Sequence, residues 1–190
     1  MKIDTIRHLA LTKLAQSPAG GQNDYITRAN AAVKDVIPFI KKHEKFVPKA
    51  YRKQLGVKDG KPVWDKWTLG YGQTTINGRD VREGDTITEP EAAKFVAQRV
   101  RENATKLYKQ NPWTQHLSQG ALSALYDTAY NAGPAVFSTT KSPNLNYEMN
   151  SADMDWDSIL KRELPTYASA GGVRLKGLVN RRNDAIQKWF

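Results

Sequence analysis

The stretch Ala31-Ala32-Val33-Lys34-Asp35-Val36-Ile37-Pro38-Phe39-Ile40-Lys41-Lys42-His43-Glu44-Lys45-Phe46 decides how the rest of the chain is read. Val33, Val36, Ile37 and Ile40 recur at three- and four-residue spacing, the signature of the buried stripe of an amphipathic helix. Glu44 continues that stripe, four residues after Ile40 and seven after Ile37, while Lys41, Lys42 and Lys45 take the solvated positions. A carboxyl group held against apolar surface resists ionisation, which is the property a general acid needs near neutral pH. The competing reading is a helix-end glutamate that curls back into water.

Beyond Glu44 lie two strand-like segments, Ala50-Tyr51-Arg52-Lys53-Gln54-Leu55-Gly56-Val57 and Val63-Trp64-Asp65-Lys66-Trp67-Thr68-Leu69-Gly70-Tyr71-Gly72-Gln73-Thr74. Between them Lys58-Asp59-Gly60-Lys61 contains Asp-Gly, a strong hairpin signal because both central positions of a type I′ turn need positive φ. A two-residue turn there pairs Lys58 with Lys61 and sets Tyr51 opposite Thr68. The closely spaced glycines of the second segment let its backbone approach another surface.

This succession resembles the start of the phage-type lysozymes, or endolysins, of glycoside hydrolase family 24: a helix ending in Glu, then Ala-Tyr, then an aromatic-Thr-Leu-Gly-Tyr-Gly strand. Thr86-Ile87-Thr88-Glu89-Pro90-Glu91-Ala92-Ala93 is similar to the opening of that family's long connecting helix, and Tyr126-Asp127-Thr128-Ala129-Tyr130-Asn131-Ala132-Gly133 to the central helix of its second lobe. Lys176-Gly177-Leu178-Val179-Asn180-Arg181-Arg182 resembles its Gly-Leu-x-x-Arg-Arg ending. Each motif is weak alone, but their joint order from Val33 to Phe190 is specific. The resemblance implies an α+β, lysozyme-like fold, a small β-hairpin lobe joined by a long helix to a larger helical lobe. It also implies a muramidase acting on the β-1,4 bond between N-acetylmuramic acid and N-acetylglucosamine of bacterial peptidoglycan, without a cofactor.

It further implies roles for particular residues. Glu44 matches the acid and Thr68 the hydroxyl that orients water. Tyr51, Tyr71 and Asn131 are candidates to line the sugar site, with core packing as the alternative for each. Gln73 stands where many family members carry His, a structural variation. Where the family places an Asp soon after Ala-Tyr, this chain has Arg52-Lys53-Gln54. Two replacements compete: Asp59, which already has a turn role, and Asp65, which strict strand alternation turns away from Thr68's face unless a bulge intervenes. Asp65 is the preferred second carboxylate. Arg181 and Arg182 either stabilise the last helix or face an acidic wall polymer.

Composition bounds the alternatives. A hydrophobic content of 39% over 190 residues supports one well-packed domain, with residues 31–190 as the catalytic part and residues 1–30 as a helical extension, whose stripe is Ile3, Ile6, Leu9, Ala10 and Leu14. No cysteine is present, which removes disulfides and thiolate chemistry, and His8, His43 and His116 lack metal-ligand spacing. No run approaches the roughly 18 apolar residues of a membrane helix. The charged start Met1-Lys2-Ile3-Asp4-Thr5-Ile6-Arg7-His8 lacks the apolar core of a secretory signal. The resemblance accordingly implies a host cytoplasmic location before release to the wall, and a monomer.

Twenty-nine Lys and Arg against 19 Asp and Glu give a net charge of +10, which favours polyanions. The cations are dispersed and no nucleic-acid-reading motif accompanies them; an anionic cell envelope would be attracted equally well, and a solvated basic face without a specific partner is the third reading. Two other activities stay open. One is a lytic transglycosylase, which also uses one acidic Glu but closes an anhydro ring. The other is a non-catalytic basic module binding wall or nucleic acid. The sequence further predicts a Thr88/Glu91 capping box opening a helix to Gln110, helices over 120–132 and 178–189, a helical stretch from Trp156 towards Pro165, and an irregular segment over 144–157.

Overall fold

The computed structural model describes residues 21–151, 154–170 and 173–190. The stripe from Ile3 to Leu14 lies outside them. Helix α1 (Gly21–Glu44) is followed by β1 (Val47–Tyr51), β2 (Gln54–Lys58), β3 (Lys61–Trp64), β4 (Thr68–Gly70), β5 (Thr75–Ile76) and β6 (Arg79–Asp80). Then come α2 (Glu89–Gln110), α3 (Gln119–Ala132), α4 (Pro143–Met149), α5 (Trp156–Glu163), the short pair β7 (Ser169–Ala170) and β8 (Val173–Arg174), and α6 (Lys176–Trp189). The chain divides into two compact units, Ile37–Arg99 and the remaining described residues, and the division falls inside both α1 and α2. The first unit carries β1 to β6; the second is dominated by helices.

Helix α1 exists because its stripe has apolar partners. Tyr25, Ala32, Val33, Val36, Phe39 and Ile40 are buried, whereas Pro38, which cannot donate a helical hydrogen bond, lies on the exposed face. Asp24 in its first turn and Lys41, Lys42 and His43 in its last complement the helix dipole. The helix begins at Gly21, ten residues before Ala31, and the buried Tyr25 is the signal for that extra length.

In the Ile37–Arg99 unit the hairpin has the register that Asp59-Gly60 dictates: Lys58 pairs with Lys61 and Tyr51 with Thr68. Asp59 (φ 53) and Gly60 (φ 72) take the two left-handed positions. A second tight hairpin at Asn77-Gly78 joins β5 to β6. Helix α2 opens with the glutamate half of the capping box: the Thr88 backbone N–H and hydroxyl both donate to Glu91 Oε2, at 2.9 and 2.5 Å. Pro90 is tolerated because first-turn N–H groups have no helical partner.

The other unit is organised by α3, which enters behind Ser118 as its cap, accepting from the Ala121 N–H at 3.1 Å. Gly120 is a close approach: any side chain there would run into the Trp189 carbonyl of α6. The same two helices share a buried charge cluster. Asp127 is fully buried and accepts from Arg181 Nε (3.0 and 3.1 Å), Arg181 Nη2 (2.8 Å) and Arg182 Nη1 (2.7 Å). Arg182 also donates to the Tyr167 carbonyl and to Asn131 Oδ1. Both arginines are therefore structural and neither faces a wall polymer; they are 4% and 0% exposed.

The segment 144–157 is not uniformly irregular, since Pro143–Met149 forms α4. Its anchor is polar. Buried Asn146 accepts from the Trp113 indole N–H at 3.1 Å and donates to the Phe137 and Ser142 carbonyls, both at 2.9 Å. Buried Leu145 and Met149, four residues apart, were the apolar signal for this short helix. Replacing Asp127 with Asn leaves two buried guanidinium groups short of a counter-charge. It is expected to destabilise the protein by about 3–5 kcal/mol, read as a lowered urea midpoint with an unchanged slope.

Candidate active site

Glu44 is the last residue of α1, half-buried, and Lys45 (φ 55) turns the chain out of the helix into β1. Strand β1 pairs antiparallel with β4 through Val47↔Gly70 and Tyr51↔Thr68. Past β4 the chain reverses within five residues: the Leu69 and Gln73 backbones exchange hydrogen bonds at 3.0 and 2.9 Å. Gly70 (φ 63) and Gly72 (φ 88) supply the left-handed positions this reversal requires. Gly72 packs directly against the glutamate; a Cβ there would lie 3.3 Å from Glu44 Oε2. Glu44 is thus held at a helix end against a glycine backbone, in the same unit as Thr68, Asp65, Tyr51 and Tyr71.

A set of side chains fastens this reversal in place. Gln73 Oε1 accepts from the Tyr71 N–H at 2.5 Å, and Gln73 Nε2 donates to the Ala92 carbonyl of α2 at 3.3 Å. The Tyr71 hydroxyl donates to Glu89 Oε1 at 2.6 Å, and Lys41 Nζ lies 3.1 Å from the same oxygen and 5.3 Å from the Tyr71 ring centroid. Phe46 meets the Tyr71 ring at 5.6 Å. Burial, then the Glu89 hydrogen bond, pushes the Tyr71 phenol up; the Tyr71 hydrogen bond, then Lys41, holds Glu89 below the usual carboxylate range. Tyr71 is 3% exposed, so its ring is a structural clamp with no face free to stack on a sugar. The helix-end position of Glu89 gave no sign of this partnership in sequence.

The two aspartates occupy different places. Asp59 sits in the exposed turn at the far end of the ribbon, beyond the pairs Val57↔Pro62 and Gly56↔Val63. Asp65 lies where the ladder is irregular: the register slips between Gln54 and Gly56, and Asp65-Lys66-Trp67 leave the strand altogether. Strict alternation therefore does not govern the direction of Asp65. Its backbone N–H donates to the Lys53 carbonyl at 2.8 Å, which puts Asp65 across from the residues that follow Ala50-Tyr51. Asp65 Oδ1 accepts from the Lys66 N–H at 2.8 Å, and the Thr68 hydroxyl donates to the Lys66 carbonyl at 3.1 Å. Tyr51 is half-buried on β1. Asn131 belongs to the other unit, at the end of α3, with its amide oxygen engaged by Arg182 at 3.0 Å.

Among the described residues no group of three or more His, Cys, Asp or Glu side chains is placed to hold a metal ion, and no helix is long and apolar enough to cross a membrane.

The family model for phage lysozyme matches residues 41–185. The chain therefore belongs to the phage lysozyme family and is a lysozyme-type glycoside hydrolase acting on peptidoglycan. Its fold is lysozyme-like, as three solved structures attest. The endolysin of Escherichia coli O157:H7 phage FAHEc1 superposes with a TM-score of 0.57 at 20% identity, over 83% of this chain and 91% of that one. The active form of the P1 phage endolysin Lyz gives 0.59 at 19% identity, over 95% and 90%. The muramidase domain of SpmX from Asticaccaulis excentricus gives 0.57 at 20% identity, over 83% and 95%. A search of curated proteins by sequence finds no match.

The glycine reversal has a measurable cost structure. Gly78 has positive φ and open space around it, whereas at Gly70 an added Cβ meets Gln73 Oε1 as well as the backbone penalty. Gly78→Ala is expected to cost about 1 kcal/mol from backbone strain alone. Gly70→Ala is expected to cost more, with urea unfolding of the two variants as the comparison.

Proposed function

We propose that the protein cleaves the β-1,4 bond between N-acetylmuramic acid and N-acetylglucosamine, with Glu44 as general acid and with Asp65 and Thr68 positioning the attacking water. In this reading the Glu44 proton passes to the leaving glycosidic oxygen as the bond to the anomeric carbon breaks. Water attacks that carbon from the opposite face and gives its proton to Asp65. The observation that carries the reading is the lodging of Glu44 against Gly72, on the reversal that follows the strand bearing Thr68. The hydrogen bond from Asp65 to the Lys53 carbonyl favours Asp65 over Asp59, because it places Asp65 nearer to the pair Tyr51↔Thr68. Tyr51, half-buried opposite Thr68, and Asn131 are the remaining candidates for sugar contacts.

The same reading extends to the setting of the enzyme. It acts as a monomer on the anionic cell envelope, which its +10 charge favours, after release from the host cytoplasm. Residues 31–190 form its catalytic part and residues 1–30 an extension.

Glu44→Gln keeps the shape of the side chain but removes the proton. Release of reducing ends from purified peptidoglycan is expected to fall by at least ~10²–10⁴-fold, with the unfolding midpoint maintained. An active Glu44→Gln enzyme would remove the assignment. Mass spectrometry of wild-type products discriminates the alternatives, since reducing ends mark the hydrolase, anhydro ends the transglycosylase, and intact glycan a binding module.

Asp65→Asn is expected to cripple turnover without a change in stability. Asp59→Asn should act as a mild turn variant, because asparagine also tolerates positive φ. A dead Asp59→Asn enzyme beside an active Asp65→Asn enzyme would transfer the second role to the turn.

A further inference from the structure

The β2–β3 ribbon carries a side-chain arrangement that the catalytic reading does not use. The Arg52 guanidinium carbon lies 4.6 Å from the Trp64 ring centroid and 4.7 Å from that of Trp67. Arg52 is exposed, and Trp64 retains 43% exposure. Both indole rings lie at cation–π distance from the guanidinium, whose N–H donors radiate in the plane of the group. Among the described residues no carbonyl or carboxylate accepts from them. Compare Arg79, whose fork is filled by Asp85 at 2.7 and 2.9 Å. Arg52 is thus an exposed cation held against two indoles, its donors unfilled among the described residues. Such a fork is suited to bidentate capture of a carboxylate.

The surroundings fit an anionic, sugar-bearing ligand. From Val47 to Thr68 the ribbon holds Lys49, Arg52, Lys53, Lys58, Lys61 and Lys66 against only Asp59 and Asp65, so the local field draws anions to it. The exposed indole of Trp64 adds an apolar face of the size of a pyranose ring. Position supplies the link to the reaction: Arg52 directly follows Tyr51 and Trp67 directly precedes Thr68, and Tyr51 and Thr68 are paired. A strand advances about 3.3 Å per residue, so the arginine sits one step along the ribbon from the threonine.

We propose that Arg52, held against Trp64 and Trp67, is a subsite for the carboxylates of the peptide side groups borne by the glycan strand, with Trp64 covering an adjacent sugar face. This rests on the reading of peptidoglycan as the substrate. It makes the ribbon a device for selecting peptide-bearing glycan over bare glycan.

The test uses the full chain as wild type, Arg52→Gln, Arg52→Lys and Trp64→Ala. The ligands are peptidoglycan sacculi stripped of phosphate polymers, the glycan strands freed from them by enzymatic removal of the peptides and immobilised on beads, and phosphatidylglycerol vesicles. Co-sedimentation reads binding without requiring turnover, and reducing-end release gives KM and kcat. On intact sacculi Arg52→Gln is expected to weaken sedimentation and raise KM by about tenfold, with kcat altered less than twofold. On peptide-free strands the gap between Arg52→Gln and wild type should close, while Trp64→Ala stays impaired on both. Arg52→Lys should not rescue, because an ammonium lacks the planar fork and stacks poorly. An unchanged unfolding midpoint certifies the fold of each variant. Wild-type behaviour of Arg52→Gln on intact sacculi overturns the proposal, and so does an equal deficit with and without peptides. Loss of vesicle binding with sacculus binding intact would make the ribbon a lipid contact instead. If the wild type releases no reducing ends, the catalytic reading falls, and sedimentation still judges the subsite.

Discussion

The setting of Glu44 depends on a steric constraint: strand β4 must reverse within five residues so that bare backbone, and not a side chain, meets the end of helix α1. Gly70 and Gly72 permit this because both adopt left-handed backbone and both face occupied space, Gly70 against Gln73 and Gly72 against Glu44. The reversal alone would be a weakly held loop. Tyr71 between the two glycines makes it rigid, since its buried ring and its bond to Glu89 fasten the turn to α2 while Lys41 binds the same carboxylate from α1. One tyrosine therefore ties the helix that carries the acid to the helix that follows the strands.

The other unit solves a comparable problem with charge. Asp127 on α3 gathers both Arg181 and Arg182 of α6 in a site closed to solvent. Burying three ionised groups costs desolvation, and only dense hydrogen bonding makes the arrangement tolerable. The gain is orientation. The forks of two consecutive arginines accept only a narrow range of helix positions, and the contact of Gly120 with the Trp189 backbone sets the separation of the same pair of helices.

Much of this was readable because it follows from local rules. The hairpin register came from Asp59-Gly60, the start of α2 from Thr88 and Glu91, and the catalytic candidate from the helical stripe ending at Glu44. What escaped was decided by partners far away in sequence. Tyr71 reads equally as a cleft aromatic or a core ring until Glu89 takes its hydroxyl. Arg181 and Arg182 read either as supports of the last helix or as wall-facing cations until Asp127, more than fifty residues earlier, is found between them. Helix α4 shows only the pair Leu145 and Met149 in sequence, because its anchor, Asn146, is polar and works only once the Trp113 indole and the Phe137 carbonyl are in place. The direction of Asp65 could not be read from alternation because the ladder slips beside it.

Gln73 gives the turn beneath Glu44 an indifference to acidity. An imidazole at that position would change charge between pH 5 and 8, and its bonds to the Tyr71 amide and the Ala92 carbonyl would change with it. A carboxamide donates and accepts in the same way at every pH. Its neighbours behave alike: Tyr71 is shifted further into the alkaline range and Glu89 further into the acid range. Across the neutral range the scaffold under the glutamate keeps one set of hydrogen bonds. The shape of the turn is then not a source of pH response in that range.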